Sequence, residues 1–170
     1  MVVIIGIILN FAVLSINPHD PERLIAHELD RFTTLYRLAR EQATLQQRPL
    51  AIQFQQRGYR FLQLPPDSDS RVQAVEWHPY SEMPLQPRTL PPELTDVLFR
   101  LTLEGLPVVL ESTFDDEAEE PLQPHLFILA SGESLPLQFE LRLERFAEPH
   151  RCRVAGEGMW LPQLEVVCSE

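Results

Sequence analysis

The sequence predicts an α+β fold, a long N-terminal helix followed by an antiparallel β-sandwich of two small sheets. Two changes in pattern predict it. From Asp20 to Gln47 apolar residues recur at the helical period. After Arg48 and Pro49 the period drops to two and persists in short runs, punctuated by glycine and proline, as far as Val167. The length of 170 residues suits one domain plus an appendage, and neither an internal repeat nor a second domain boundary is visible.

The appendage is residues 1–16, an uncharged run whose apolar side chains include Val2, Val3, Ile4, Ile5, Ile7, Ile8, Leu9, Phe11, Val13 and Leu14. A helix needs roughly 20 apolar residues to span a bilayer, so the run is slightly short. It also lacks the positive start and small-residue cleavage site of a secretory signal. Packing as a core helix is disfavoured, because Pro18 and Pro21 would separate it from the domain at 17–170. The run is therefore expected to meet lipid or a partner protein, with Asn17 to Pro21 as the joint.

The helix of that domain is expected over 20–47. Asp20 suits the N-cap, Pro21 the first helical position and Glu22 the positive end of the dipole. Ile25, Leu29, Phe32, Tyr36, Ala39 and Ala43 recur at steps of four and three, which marks them as the face packed on the sheets, with Leu24, Leu35, Leu38 and Leu45 widening it.

The β-rich part runs over 50–168. Leu50 to Gln55 and Tyr59 to Leu64 alternate around a Gln56-Arg57-Gly58 turn, giving a hairpin. Arg71 to His78 reads as a strand, and Pro79 to Pro92 as a proline-rich connection between sheets. Thr95 to Glu104 and Leu106 to Glu111 form a hairpin about Gly105, and His125 to Ala130 and Leu135 to Arg145 flank a Ser131-Gly132-Glu133 turn. Arg151 to Ala155 and Leu161 to Val167 close the chain around Gly156 and Gly158.

With 44% hydrophobic residues this part should fold as a globule. The net charge is −11 and all 14 basic residues are arginine, a poor basis for gripping a phosphate backbone, so nucleic acid is not an expected partner. Asp115, Asp116, Glu117, Glu119 and Glu120 form the one dense cluster of metal-capable groups. They lack the alternating spacing and glycine of a calcium loop and read as a solvated loop. His19, His27, His78, His125 and His150 are scattered without metal-binding intervals. No nucleophile elbow, phosphate loop or dinucleotide fingerprint occurs, and Ser131 sits in a tight turn. Catalytic residues, cofactors and metal ligands are expected to be none. Cys152 and Cys168 either form a bridge in an oxidising compartment or remain two thiols, depending on strand register.

MVVIIGIILNFAVLS resembles the interior of a type IV pilin-like N-terminus, and LDRFTTLYRLAREQATLQQRPLAIQFQQRGYRFLQL resembles the helix and first hairpin of the minor pseudopilin H family of type II secretion systems. Leu38, Ala39, Arg40 and Ala43 on the helix, Ile52-Gln53-Phe54 and Gly58-Tyr59-Arg60-Phe61 in the hairpin, LPPEL at 90–94 and HLFILASGESLPLQFELRL at 125–143 carry the likeness over nearly the whole chain.

The resemblance implies a pilin-like, non-enzymatic subunit of the inner membrane with a periplasmic domain, which passes from the lipid bilayer into a periplasmic pseudopilus. It implies the major pseudopilin, the other minor pseudopilins of the tip complex and the inner-membrane assembly platform as partners, with a role in linking tip complex to major pseudopilin. The glycine, phenylalanine and glutamate that open the family's helix do not precede Met1, so the chain is expected to be N-terminally truncated or its start misassigned. A minor pilin of a type IV pilus is the alternative, separable by gene neighbourhood. A tethered periplasmic enzyme would need a catalytic constellation that the sequence lacks.

Overall fold

The structure, a computed structural model, describes residues 21–65, 76–114, 121–145, 151–157 and 165–169. The expectations for Val2 to Leu14, for the joint before Pro21, for His19 and His150, for 71–75, for the acidic cluster 115–120, for Gly158 and for 161–164 lie outside them. No helix among the described residues is long and apolar enough to cross a membrane.

Helix α1 spans Pro21–Gln46. It ends where Gln47 takes a left-handed φ of 53°. Arg48 N–H then donates to Ala43 O (3.1 Å) and Gln47 N–H to Thr44 O (3.3 Å), closing the last carbonyls before Pro49 forbids a further turn. The predicted stripe is buried, and Leu35 with it, but Leu45 is 83% exposed. Leu45 lies in the last turn, beyond the point where the helix touches the sheets.

Two antiparallel sheets follow. In the first, the strand order is β3-β2-β1-β7-β8, with β4 also pairing β2. Its strands are β1 Leu50–Gln55, β2 Gly58–Gln63, β3 His78–Pro79, β4 Arg88–Thr89, β7 Leu126–Ile128 and β8 Ser134–Leu135. The second has the order β11-β10-β9-β5-β6, from β5 Val97–Leu103, β6 Leu106–Val108, β9 Gln138–Arg145, β10 Arg151–Glu157 and β11 Glu165–Ser169. Alternation sends Leu50, Ile52, Phe54, Tyr59 and Phe61 from the first sheet, and Val97, Phe99, Leu101, Leu141 and Leu143 from the second, into one core with the helix. A smaller cluster of Ala51, Leu62 and Trp77, with Phe127 and Leu122 packed on it, covers the other face of the first sheet.

The sheets are stitched at the β1–β2 turn. Gln56 N–H donates to Glu111 O and Gln56 O accepts from Phe99 N–H, each at 2.8 Å, while Arg57 O accepts from Leu90 N–H. Arg57 Nη1 also reaches Leu94 O (3.1 Å) and Thr95 O (2.7 Å), capping the single-turn 3-10 helix Pro92–Leu94.

Several boundaries differ from the sequence reading. Gly58 is the first residue of β2 and not part of a turn. A Cβ there would lie 2.3 Å from Arg88 O, so the glycine is required by the close approach of β4. Of the strand expected over Arg71 to His78, residues 71–75 lie outside the described residues and His78 pairs with Pro79 in the two-residue β3; the proline-rich connection contributes β4 and the 3-10 turn. The Gly105 hairpin is shorter than expected, β5 starting at Val97 and β6 stopping at Val108; Glu104 (φ 48°) and Gly105 (φ 79°) supply the two positive φ values of a type I′ turn. Leu135 to Arg145 is not one strand. Pro136 removes the donor that would continue the ladder, and the chain passes from β8 in the first sheet to β9 in the second. Gly156 lies within β10, opposite Phe139, not in the closing turn.

Candidate functional site: the helix anchor

The functional residues named from sequence concern how the helix is held, and the structure brings that set together. Ile25, Leu29, Phe32, Tyr36, Ala39 and Ala43 are all between 0% and 1% exposed. Phe32 is central, with ring centroids of Tyr59 at 5.3 Å, Phe54 at 5.5 Å and Tyr36 at 6.0 Å, and Tyr36 continues to Phe139 of the second sheet at 5.8 Å. Tilted and edge-on contacts of this kind add to the stabilisation from area alone. The small side chains of Ala39 and Ala43 let the last turns approach the sheets closely.

Polar links fix the helix along its length, and the sequence reading missed them. Near its start Glu28, 3% exposed, faces the Arg88 guanidinium with both oxygens at 3.4 Å and Arg31 Nε at 3.7 Å. Burial, with the Glu28 carboxylate next in importance, pushes the Tyr59 phenol pKa well up, and its hydroxyl has no partner among the described residues. In the middle the Tyr36 and Ser134 hydroxyls share a hydrogen bond. In the last turns Arg40 Nε donates to Gly132 O at 2.8 Å and Tyr80 O–H to Gln42 Oε1 at 2.9 Å.

The Ser131-Gly132-Glu133 turn thereby acquires a physical role. Gly132 sits at φ +85°, and a Cβ on it would lie 3.2 Å from Thr44 Oγ1, so the turn seats directly on the helix. Ser131 Oγ donates to Glu133 Oε2 at 3.2 Å within the turn. His125 Nδ1 accepts the Phe54 N–H at 3.0 Å, and burial lowers the imidazole pKa, so the ring acts as a neutral acceptor inside the fold. His27 and His78 are exposed, and no group of three or more metal-capable side chains converges among the described residues. Cys152 is disulfide-bonded, and the chain's other cysteine, Cys168, is its register partner across β10 and β11.

This arrangement of helix and paired sheets matches solved structures. The minor pseudopilin EpsH of the Vibrio cholerae type II secretion system superposes with a TM-score of 0.65 over 89% of this chain and 99% of that one, at 21% identity. The chain has the minor-pseudopilin fold. A second structure of the same protein gives a TM-score of 0.60 at 19% identity over 85% and 96% of the two chains. The solution structure of Escherichia coli GspH gives 0.58 at 18% over 86% and 90%. In sequence, type II secretion system protein H of Pseudomonas aeruginosa is 28% identical over 169 residues, 98% of this chain and 90% of that protein. No family model matches the chain. In sequence and in fold, then, this pseudopilin-like chain resembles the minor pseudopilin H family.

The pseudopilin fold accounts for what the sequence hid. Arg40 and the Ser131-Gly132-Glu133 turn are 92 residues apart at the Arg40–Gly132 contact. Both belong to the stretches that carry the family likeness, which was the available signal. Glu28 and Arg88 had none.

Proposed function

We propose that the chain is a non-enzymatic minor pseudopilin of a type II secretion system, linking the minor-pseudopilin tip complex to the major pseudopilin during export. The observation that carries this reading is likeness to protein H over 98% of the chain, at 28% identity. In this reading residues 1–16 form the membrane and filament-core half of the helix. They leave the inner-membrane bilayer for a core of neighbouring helices, and both settings satisfy the helical backbone internally. Residues 17–170 form the periplasmic domain, and the disulfide at Cys152 suits that oxidising compartment.

The anchor supports the mechanical part of the role. A subunit drawn along its helix axis must carry its domain with it. Here Glu28, Tyr36, Arg40 and Gln42 engage partners from the first sheet, from its β7–β8 turn and from the proline-rich connection, while the Tyr36 ring packs on Phe139 of the second sheet. Deletion of the gene is expected to block export of folded substrates while the overexpressed major pseudopilin still assembles. Unchanged export in the deletion strain overturns the assignment.

A further inference from the structure

The margins of the two sheets are not alike. Strands β3, β4, β6 and β8 each contain or adjoin a proline, and β11, Glu165–Ser169, does not. It ends the second sheet, paired with β10 on one side and with no strand on the other among the described residues. The central charge that commonly guards an edge is also missing. The middle residue is Val167, 40% exposed and in register with the exposed Arg153. The bridge at Cys152, whose register partner is Cys168, ties β11 to β10, so a ligand strand does not have to order it.

The register fixes what complements this edge. Alternation places Glu165, Val167 and Ser169 on one face of the sheet. The residue of β10 opposite Glu165 is Ala155, so the matching basic residue has its place on the open side. Opposite Val167 the match is a β-branched or aromatic side chain. A second copy does not fit. Antiparallel pairing of two β11 strands requires a two-fold axis perpendicular to the sheet, which would turn α1, packed on the sheet's inner face, end for end in the partner. Two subunits standing in one bilayer cannot be so related.

We propose that β11 is the edge to which an extended segment of a neighbouring, different subunit adds as an antiparallel strand, with a basic residue opposite Glu165 and an apolar one opposite Val167. Five residues make a short ladder, too short to hold a partner from free solution. Between chains whose helices already stand in one membrane or one filament, tethering supplies an effective concentration in the millimolar range, and the same ladder suffices. That condition is met by a neighbouring subunit and not by a freely diffusing cargo. That the neighbour is a pseudopilus subunit rests on the proposed function; the strand pairing is tested without secretion.

The test is an NMR titration of the isotope-labelled full chain in detergent micelles, carried to millimolar concentration of a synthetic peptide with the core Thr-Thr-Ile-Thr-Arg. A scrambled peptide of the same charge is one control. Two analogues carry backbone N-methyl groups on alternate residues, one set on the odd positions of the core and one on the even. The expected result is amide shifts centred on Glu165 to Ser169, kept with one analogue and lost with the other, because successive N–H groups of a strand point to opposite sides. Glu165→Lys should weaken binding about tenfold, and exchanging the peptide's arginine for glutamate should restore it; Glu93→Lys, the same change of charge on the 3-10 turn, should leave it unchanged. Val167→Ser, expected to fall part of the way, serves if Glu165→Lys does not fold. No shifts, shifts centred on another edge strand, equal binding of the scrambled peptide, equal effects of the two analogues, or equal loss in Glu93→Lys overturns the proposal. A secretion defect without these outcomes would count for the pseudopilin reading and against this edge.

Discussion

Gly58→Ala tests whether the first sheet and the helix are coupled through β4. The new Cβ would sit 2.3 Å from Arg88 O, and real Cβ atoms essentially never come within 3.0 Å, so the β4 backbone must retreat by at least the 0.7 Å difference. Retreat strains the Gly58–Thr89 and Tyr59–Arg88 pairs and draws Arg88 from Glu28, which already sits at 3.4 Å. Overpacking costs about 1–3 kcal/mol. Reduced freedom of the unfolded chain returns about 0.4–1 kcal/mol. Weakening of the Glu28–Arg88 pair, with Arg31 still in place, adds about 1 kcal/mol, a part of the roughly 1.5–3 kcal/mol of a full charge-assisted bond. The net expectation is a loss of about 2 kcal/mol, or about 1 M in urea midpoint at a slope near 2 kcal/mol/M. Equilibrium urea denaturation of the purified protein measures it. Arg88→Met should destabilise less in the Gly58→Ala background than in the native one, because the pair is already weakened. A midpoint within about 0.2 M of the native value, or full additivity with Arg88→Met, refutes the coupling.

Other outcomes follow from the anchor and the core. Tyr36→Phe should cost about 1–2 kcal/mol by orphaning the Ser134 hydroxyl, and Tyr36→Phe/Ser134→Ala should cost less than the sum of the single changes; additive losses in a thermal-unfolding cycle would sink this. His125 has a folded pKa below its unfolded value, so its contribution is complete above the unfolded value near 6.5 and is lost as pH falls toward the folded one. Urea midpoints at pH 7.5 and 5.5 should therefore differ more in the native protein than in His125→Gln, and equal differences would remove the imidazole from the account. Cys152→Ser should lower stability by about 3 kcal/mol, the loop-entropy value for a ring of this size, and make stability indifferent to reductant; a native protein whose stability does not change with reductant would remove the bridge from the account.

Much of the fold was legible because local rules decide it. The stripe from Ile25 to Ala43 gave the helix within a residue at each end, and the alternation from Leu50 to Gln55 gave β1. Errors occurred where a tertiary contact set the local conformation. Gly58 reads as a turn residue in one dimension, yet it is a strand residue against which another backbone lies. Pro136 stands inside an apolar run that looks continuous, and it marks the transfer between sheets. Of the anchor, the buried apolar face was readable from its period. Glu28 was not, since a glutamate on a helix is ordinarily solvated and its partner Arg88 lies 60 residues away.

Four of the five edge strands among the described residues are met by proline: Pro79 lies in β3, Pro87 directly precedes β4, Pro107 lies in β6, and Pro136 directly follows β8. Proline offers no N–H to an incoming strand, and an edge so interrupted is a poor template for sheet growth. Copies of such a domain crowded side by side would be slow to fuse through their margins into open-ended β aggregates. Ordered stacking is then left to helices and sheet faces, whose contacts are reversible and specific in orientation.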